Sequence, residues 1–260
     1  MKLKRIFKLI IVFVLIYLFF ALFIYIQQRN IIYHPDNQDF FSCLAFDDYK
    51  AKVFNETRFY FKEAGSNLIV HYHGNAGSAC DRSFLKPYFE AHDFSIIFLE
   101  YAGYANDDRK ASKELILNDV KNIVEFIEEK KFDKVFVFGE SIGSGPASYQ
   151  ASISSVDSIV LVSPFYDLKS LAQSHYPFLP ISILLKENYD IKKYLKNYNG
   201  NLLIFHGEKD SIISSNFSKK LYNELQNSNK KYILINDASH NDIYSFNLFY
   251  EELFEFLKNK

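Results

Sequence analysis

Several features are scarce or missing in this chain of 260 residues. Its formal net charge is only −1, with 30 basic and 31 acidic residues in mixed order. The sequence therefore indicates no basic face that could follow a phosphate backbone, and nucleic acid is not an expected partner. No internal repeat or low-complexity segment stands out. Tryptophan is absent and methionine occurs once. Aromatic residues nevertheless make up 18% of the chain, a bias that by itself indicates no function.

Cysteine and clustered metal ligands are also scarce. The two cysteines, Cys43 and Cys80, lie in no motif typical of a nucleophile. His71 and His73 alternate along a predicted strand, but no third ligand follows at a spacing known from metal sites. We therefore predict neither a metal site nor a cofactor.

The most specific pattern present is Gly-Glu-Ser-Ile-Gly at residues 139–143. It follows the apolar run 135–138 and precedes the small-residue run 144–148. A predicted strand before it and a predicted helix after it are typical of a nucleophile elbow, the sharp turn that exposes a serine. Glycines at the flanking positions let the backbone pass closely. Ser141 is therefore the predicted nucleophile.

A serine hydroxyl needs a histidine base and an orienting carboxylate, because it is a weak nucleophile at neutral pH. The apolar strand 201–205 leads into a loop that contains Asp210, and the next strand, 231–235, leads into a loop that contains His240. The order Ser141, Asp210, His240 is that of α/β-hydrolases. Asp167, which follows an earlier strand, is an alternative acid.

Acyl transfer also needs two backbone N–H groups that stabilise the oxyanion of the tetrahedral intermediate. One is usually supplied by the residue after the nucleophile, here Ile142. The strand 68–72 ends in His-Gly-Asn-Ala-Gly at residues 73–77, where glycines allow the chain to present its amides. We assign the second donor to Asn75.

These segments, 73–77, 139–145, 206–210 and 239–242, resemble those of membrane-anchored α/β-hydrolase-domain serine hydrolases. That branch includes protein depalmitoylases and lysophospholipase or monoacylglycerol-type lipases, and the resemblance spans about residues 30–258. It implies an α/β-hydrolase fold with a mostly parallel sheet and helices on both faces. The alternation of strands with helical segments such as 111–131 agrees with this fold. One departure lies at residues 100–105, where such proteins tend to read Asp-Tyr-Arg-Gly-Tyr-Gly and this chain reads Glu-Tyr-Ala-Gly-Tyr-Ala.

The N-terminus predicts a membrane anchor. Residues 6–26 are apolar except for Lys8, long enough to cross a bilayer, and follow three basic residues. A cleaved signal peptide is the alternative, although its apolar core would be shorter and followed by small residues. The basic flank predicts a cytoplasmic N-terminus and an extracytoplasmic domain, periplasmic or on the outer face in a bacterium. We expect an anchor at 1–28 and one hydrolase domain at 29–260, with an irregular collar at 27–50. In that compartment a disulfide between the two cysteines is one possibility.

Between the strands 158–162 and 201–205 lies an insertion, residues 163–200, which is the predicted cap. Its aromatic residues are candidates for an acyl-chain pocket, namely Phe165, Tyr166, Tyr176 and Phe178. Packing against the sheet is the alternative role for these side chains. The sequence thus predicts a membrane-anchored serine hydrolase that cleaves ester or thioester bonds of acylated lipids or acylated proteins. A serine peptidase on the same fold, or a catalytically silent membrane scaffold, remains an alternative.

Overall fold

The computed structural model describes residues 2–258. The helices are α1 Lys2–Ile32, α2 Lys86–Glu90, α3 Lys113–Lys130, α4 Ser144–Ile153, α5 Leu168–His175, α6 Ile181–Leu184, α7 Ile191–Tyr194, α8 Ser215–Glu224 and α9 Asn247–Lys258. The strands are β1 His34–Pro35, β2 Lys50–Phe54, β3 Thr57–Lys62, β4 Leu68–Tyr72, β5 Ala76–Gly77, β6 Ser95–Glu100, β7 Val135–Glu140, β8 Ser158–Val162, β9 Asn201–Gly207 and β10 Lys230–Ile235.

The main sheet has eight strands in the order β10-β9-β8-β7-β4-β6-β3-β2. The six strands from β10 to β6 in this order run parallel to one another. At the other edge, β3 pairs antiparallel with β6, and β2 pairs antiparallel with β3. The central strands are mostly apolar and are buried along nearly their whole length, because both faces of a parallel sheet are covered. The predicted mostly parallel sheet with helices on both faces is therefore confirmed.

Two hydrophobic layers enclose this sheet. One contains residues of α3, α4, α7 and α8, and the other contains residues of α2 and α9. Helix α3 is capped at both ends by residues of the sequence that flank it. The side chain of Ser112 accepts a hydrogen bond from the Leu115 amide at the start of the helix, and Lys131 ends the helix in a left-handed conformation. These two layers hold the strand ends, and so the loops after them, in fixed positions.

The N-terminal segment is more regular than the sequence suggested. Helix α1 continues beyond residue 28 to Ile32, and is long and apolar enough to cross a membrane. The segment that follows is a short collar in which β1 pairs with β5, the strand at the end of the predicted oxyanion loop. After His240, a 3₁₀ turn at Ile243–Ser245 precedes α9. The cap at 163–200 contains α5, α6 and α7.

Candidate active site

The predicted site residues follow four parallel strands at the same edge of the sheet. The loop 73–77 follows β4, Ser141 follows β7, Asp210 follows β9 and His240 follows β10. Ligands of open α/β sheets bind at the carboxyl ends of the strands. The fold therefore brings Ser141 and His240, which are 99 positions apart in the chain, within hydrogen-bonding distance.

Ser141 lies on a strained turn between β7 and α4. Its φ of 51° is in the left-handed region, which is costly for a residue with a side chain and marks functional turns. Gly143 permits this turn, because a Cβ atom there would lie 2.2 Å from the Tyr72 carbonyl oxygen and 2.5 Å from that of His73. The elbow and the end of β4 are thus in direct backbone contact. Ser141 itself is only 9% exposed.

A continuous hydrogen-bonded chain joins Ser141, His240 and Asp210. His240 Nε2 lies 3.0 Å from Ser141 Oγ, and His240 Nδ1 lies 2.7 Å from Asp210 Oδ2. Because an ionised carboxylate only accepts, Nδ1 donates to Asp210 and Nε2 is left to accept the serine proton. These distances are those required of a nucleophile, its base and an orienting acid.

Asp210 is held as an anion by several donors. Its Oδ1 accepts the amides of Ile212 and Ile213 at 2.9 and 2.8 Å. Burial opposes ionisation, but hydrogen bonds from His206 and His240 outweigh it and hold the Asp210 pKa below its usual value. His206 Nε2 lies 3.2 Å from Asp210 Oδ2, a contact that the sequence analysis did not include.

The alternative acid, Asp167, has different partners. Its carboxylate accepts hydrogen bonds from the amide and the hydroxyl of Ser170, both at 2.8 Å, at the start of α5. This is the geometry of a helix N-cap. Asp210, rather than Asp167, is the carboxylate in contact with His240.

The loop 73–77 turns its carbonyl groups into the protein. The carbonyls of His73 and Asn75 accept the hydroxyls of Tyr101 and Tyr104, each at 2.8 Å. The Gly74 carbonyl accepts His73 Nδ1 at 2.7 Å, and the Ala76 carbonyl lies 3.4 Å from Arg82. Both tyrosines lie in the segment 100–105 that departs from the family pattern. They could have been suspected from their position after β6, beside β4 in the sheet.

A second interaction that the sequence analysis missed joins this loop to the elbow. Arg82 forms two hydrogen bonds of 2.9 Å with Glu140, the residue before the serine, and Tyr244 donates a third at 3.0 Å. Burial opposes ionisation of Glu140, but the Arg82 charge and these hydrogen bonds lower its pKa. Glu140 lies under the loop, since a Cβ on Gly74 would be 2.5 Å from its carboxylate.

The four candidate pocket residues occupy different environments. Phe165 is fully buried in the main hydrophobic layer. Tyr166 is buried and donates to Glu224 at 2.6 Å. Tyr176 and Phe178 are exposed, and the ring of Phe178 stacks at 6.2 Å on Phe20 of α1. Their role in binding substrate stays a prediction.

His71 in β4 and His73 in the loop just after it are both fully buried. His71 packs among Phe89, Phe98 and Phe138, and His73 Nε2 lies 3.2 Å from Glu100. Within residues 2–258, no three His, Cys, Asp or Glu side chains are grouped so that they could hold a metal ion.

Known proteins share both sequence and fold with this chain. Residues 67–182 match the family model described as alpha/beta hydrolase fold. An uncharacterized protein of Mycobacterium tuberculosis is 26% identical over 234 residues, which cover 85% of this chain and 83% of that protein. The lysophosphatidylserine lipase ABHD12 of Xenopus tropicalis is 27% identical over 180 residues, or 60% of this chain and 46% of the lipase.

Solved structures show the same architecture. The esterase Pf2001 of Pyrococcus furiosus superposes with a TM-score of 0.66 at 16% identity, over 81% of this chain and 90% of that one. Est1E of Butyrivibrio proteoclasticus, with ferulic acid bound, has a TM-score of 0.65 at 13% identity, over 81% and 98%. At such identities the similarity concerns the fold alone. By its architecture and by the match of residues 67–182, the chain has the alpha/beta hydrolase fold.

Proposed function

We propose that the protein is a membrane-anchored serine hydrolase that cleaves carboxylic ester or thioester bonds of acylated lipids or acylated proteins. The observation that carries this proposal is the chain of contacts from Ser141 through His240 to Asp210, at 3.0 and 2.7 Å. The esterase Pf2001, which has a similar fold, and the lipase ABHD12, which has a similar sequence, support a substrate of the ester class.

In this mechanism Ser141 Oγ attacks the carbonyl carbon while His240 Nε2 takes its proton. Asp210 holds the imidazole in the required tautomer and stabilises its charged form. The negative charge of the tetrahedral intermediate is stabilised by the amides of Asn75 and Ile142. His240 then gives its proton to the departing oxygen or sulfur, which leaves an acyl group on Ser141. Water, activated by the same histidine, releases the acid.

The internal bonding of the loop 73–77 supports this assignment of the oxyanion donors. The carbonyl oxygens of His73, Gly74 and Asn75 accept hydrogen bonds from buried or half-buried donors. A peptide group that turns its carbonyl inward presents its N–H to the other side. Arg82 hydrogen-bonds Glu140, the residue before the serine, and lies 3.4 Å from the Ala76 carbonyl, so it links the elbow to this loop.

Labelling by a fluorophosphonate probe tests the nucleophile. The wild-type protein should be labelled, and Ser141→Ala and His240→Ala should not be. Ser141→Ala should lower ester turnover by roughly six orders of magnitude, as expected for residues that act as a unit. Ser144→Ala is the matched control, because the hydroxyl of Ser144 donates to the Gly139 carbonyl at 3.3 Å and not to a histidine. Unlabelled, well-folded wild-type protein would favour the silent scaffold, and faster cleavage of amide than ester reporters would favour the peptidase.

The anchor and its orientation are part of the same proposal. Cys43 and Cys80 form a disulfide that links the collar to the segment after the loop 73–77. Disulfides persist in oxidising compartments, which agrees with an extracytoplasmic domain and a cytoplasmic N-terminus. Protease added to intact cells should digest the domain, and unreduced protein should resist thiol alkylation. A domain that is protected and has two free thiols would contradict this topology.

A further inference from the structure

We infer that the cap of this protein is seated in the bilayer leaflet from which α1 emerges, so that the cap itself binds lipid. This placement depends on α1 being the anchor of the proposed function. It adds a membrane-contacting surface that belongs to the hydrolase domain.

The cap packs along the second half of α1. Tyr17 donates its hydroxyl to the Phe178 carbonyl at 3.0 Å, and Phe20 stacks on the Phe178 ring. Ala21 is buried among cap residues, and Gln28 hydrogen-bonds the Lys186 amide at 2.7 Å. Helix and cap are therefore in contact over at least the stretch from residue 17 to residue 28.

This stretch places part of the cap at hydrocarbon depth. Tyr17 and Gln28 are eleven positions apart, which corresponds to about 16 Å along a helix. The apolar run ends near Ile26, and half of a hydrocarbon core is about 15 Å thick. If the run 6–26 crosses the bilayer, the region around Phe178 lies among acyl chains, while Lys186 lies near the headgroups.

The exposed side chains of the cap suit the acyl-chain region and the headgroup region of the bilayer. Phe178 and Ile183, two large apolar side chains of the cap, are 59% and 72% exposed. Ile183 borders a groove of about 380 Å³ that is also lined by Lys113, Lys169, Lys186 and Lys193. Asp190 is the acidic residue among the side chains that line it. Apolar residues flanked by lysines match acyl chains beneath anionic headgroups.

The same arrangement turns the active-site edge toward the bilayer. Just after α1, β1 pairs with β5, and the His34 amide lies 3.3 Å from the side-chain oxygen of Asn75. At the other end of the cap, His175 contacts the Ile212 carbonyl at 3.0 Å, two residues after Asp210. The cap thus contacts both the anchor and the loop that carries Asp210.

The absence of tryptophan permits a direct test on the full-length protein. Phe178→Trp and Ile183→Trp each introduce a sole tryptophan into the cap. The variants are reconstituted in vesicles of phosphatidylcholine and phosphatidylglycerol whose acyl chains are, or are not, brominated. Bromine quenches only tryptophans that reach the acyl chains. We expect blue-shifted emission from both variants and strong quenching by the brominated lipid.

Two further variants make each result interpretable. Phe13→Trp, on a 77% exposed position of α1, reports insertion of the anchor. Phe254→Trp, on α9 across the sheet beside His92, should stay unquenched. Quenching at position 13 without quenching at 178 and 183 would overturn the seating of the cap and leave the anchor intact. No quenching at position 13 would overturn both. Fluorophosphonate labelling of the same proteins reports the serine hydrolase proposal separately.

Discussion

Replacing Arg82 by methionine should destabilise the protein strongly, because it leaves Glu140 without its counter-ion. The two side chains are only 16% and 15% exposed and share two hydrogen bonds of 2.9 Å. Removing one partner of a buried ion pair costs about 3–5 kcal/mol, and the residual exposure places this pair near the lower value. For a domain of this size, about 3 kcal/mol corresponds to a melting temperature lower by about 6–12 °C.

The pH dependence of this loss follows from the pKa of Glu140. In the wild type that pKa lies below its ordinary value of 4.5, so the ionised group contributes stability above this pH and loses it as the pH falls. In Arg82→Met, burial without the positive charge raises the pKa of Glu140 instead. The deficit should therefore be largest near neutral pH and shrink as the pH falls through this raised pKa, where Glu140 becomes protonated in the variant.

The assay is thermal unfolding of the full-length protein in detergent, followed by circular dichroism between pH 4 and 8. Adding Glu140→Gln to Arg82→Met should recover much of the loss at neutral pH, because it removes the unpaired charge. Lys130→Met is the control, since Lys130 and Glu63 form an exposed pair worth at most about 1 kcal/mol. An Arg82→Met protein as stable as the Lys130→Met protein at neutral pH, with no pH dependence, would refute this reasoning.

Three further changes have expected outcomes. Asp210→Asn should preserve the fold but lower ester turnover by about four orders of magnitude, because asparagine favours the wrong tautomer of the His240 imidazole. The rate of fluorophosphonate labelling measures the loss of serine reactivity. Gly143→Ala should abolish labelling, since its methyl group would meet the Tyr72 carbonyl at 2.2 Å and displace the elbow; labelling at the wild-type rate would contradict the turn. Cys43→Ser should lower the free energy of unfolding by about 3–4 kcal/mol, because the disulfide to Cys80 that it removes closes a loop with a sequence separation of 37. Chemical denaturation with and without reductant measures this loss.

The sequence predicted the elements whose signal is local. The elbow follows from five residues and their neighbours, because the strand, the serine between two glycines and the helix after it form one local pattern. The long apolar run of α1 and the continuous apolar strands are read in the same way. Chain order alone then led to Asp210 and His240, because parallel strands end at one edge of the sheet.

Contacts between distant segments were decided only by the tertiary structure. Arg82 and Glu140 are 58 positions apart, and no local pattern distinguishes this arginine from one on the surface. The stacking of Phe178 on Phe20 likewise depends on where the cap meets α1, and the aromatic content of the cap does not show which ring is buried and which is exposed. Periodicity and turn chemistry act over a few residues, whereas the pairing of charges and the docking of helices depend on packing across the whole chain.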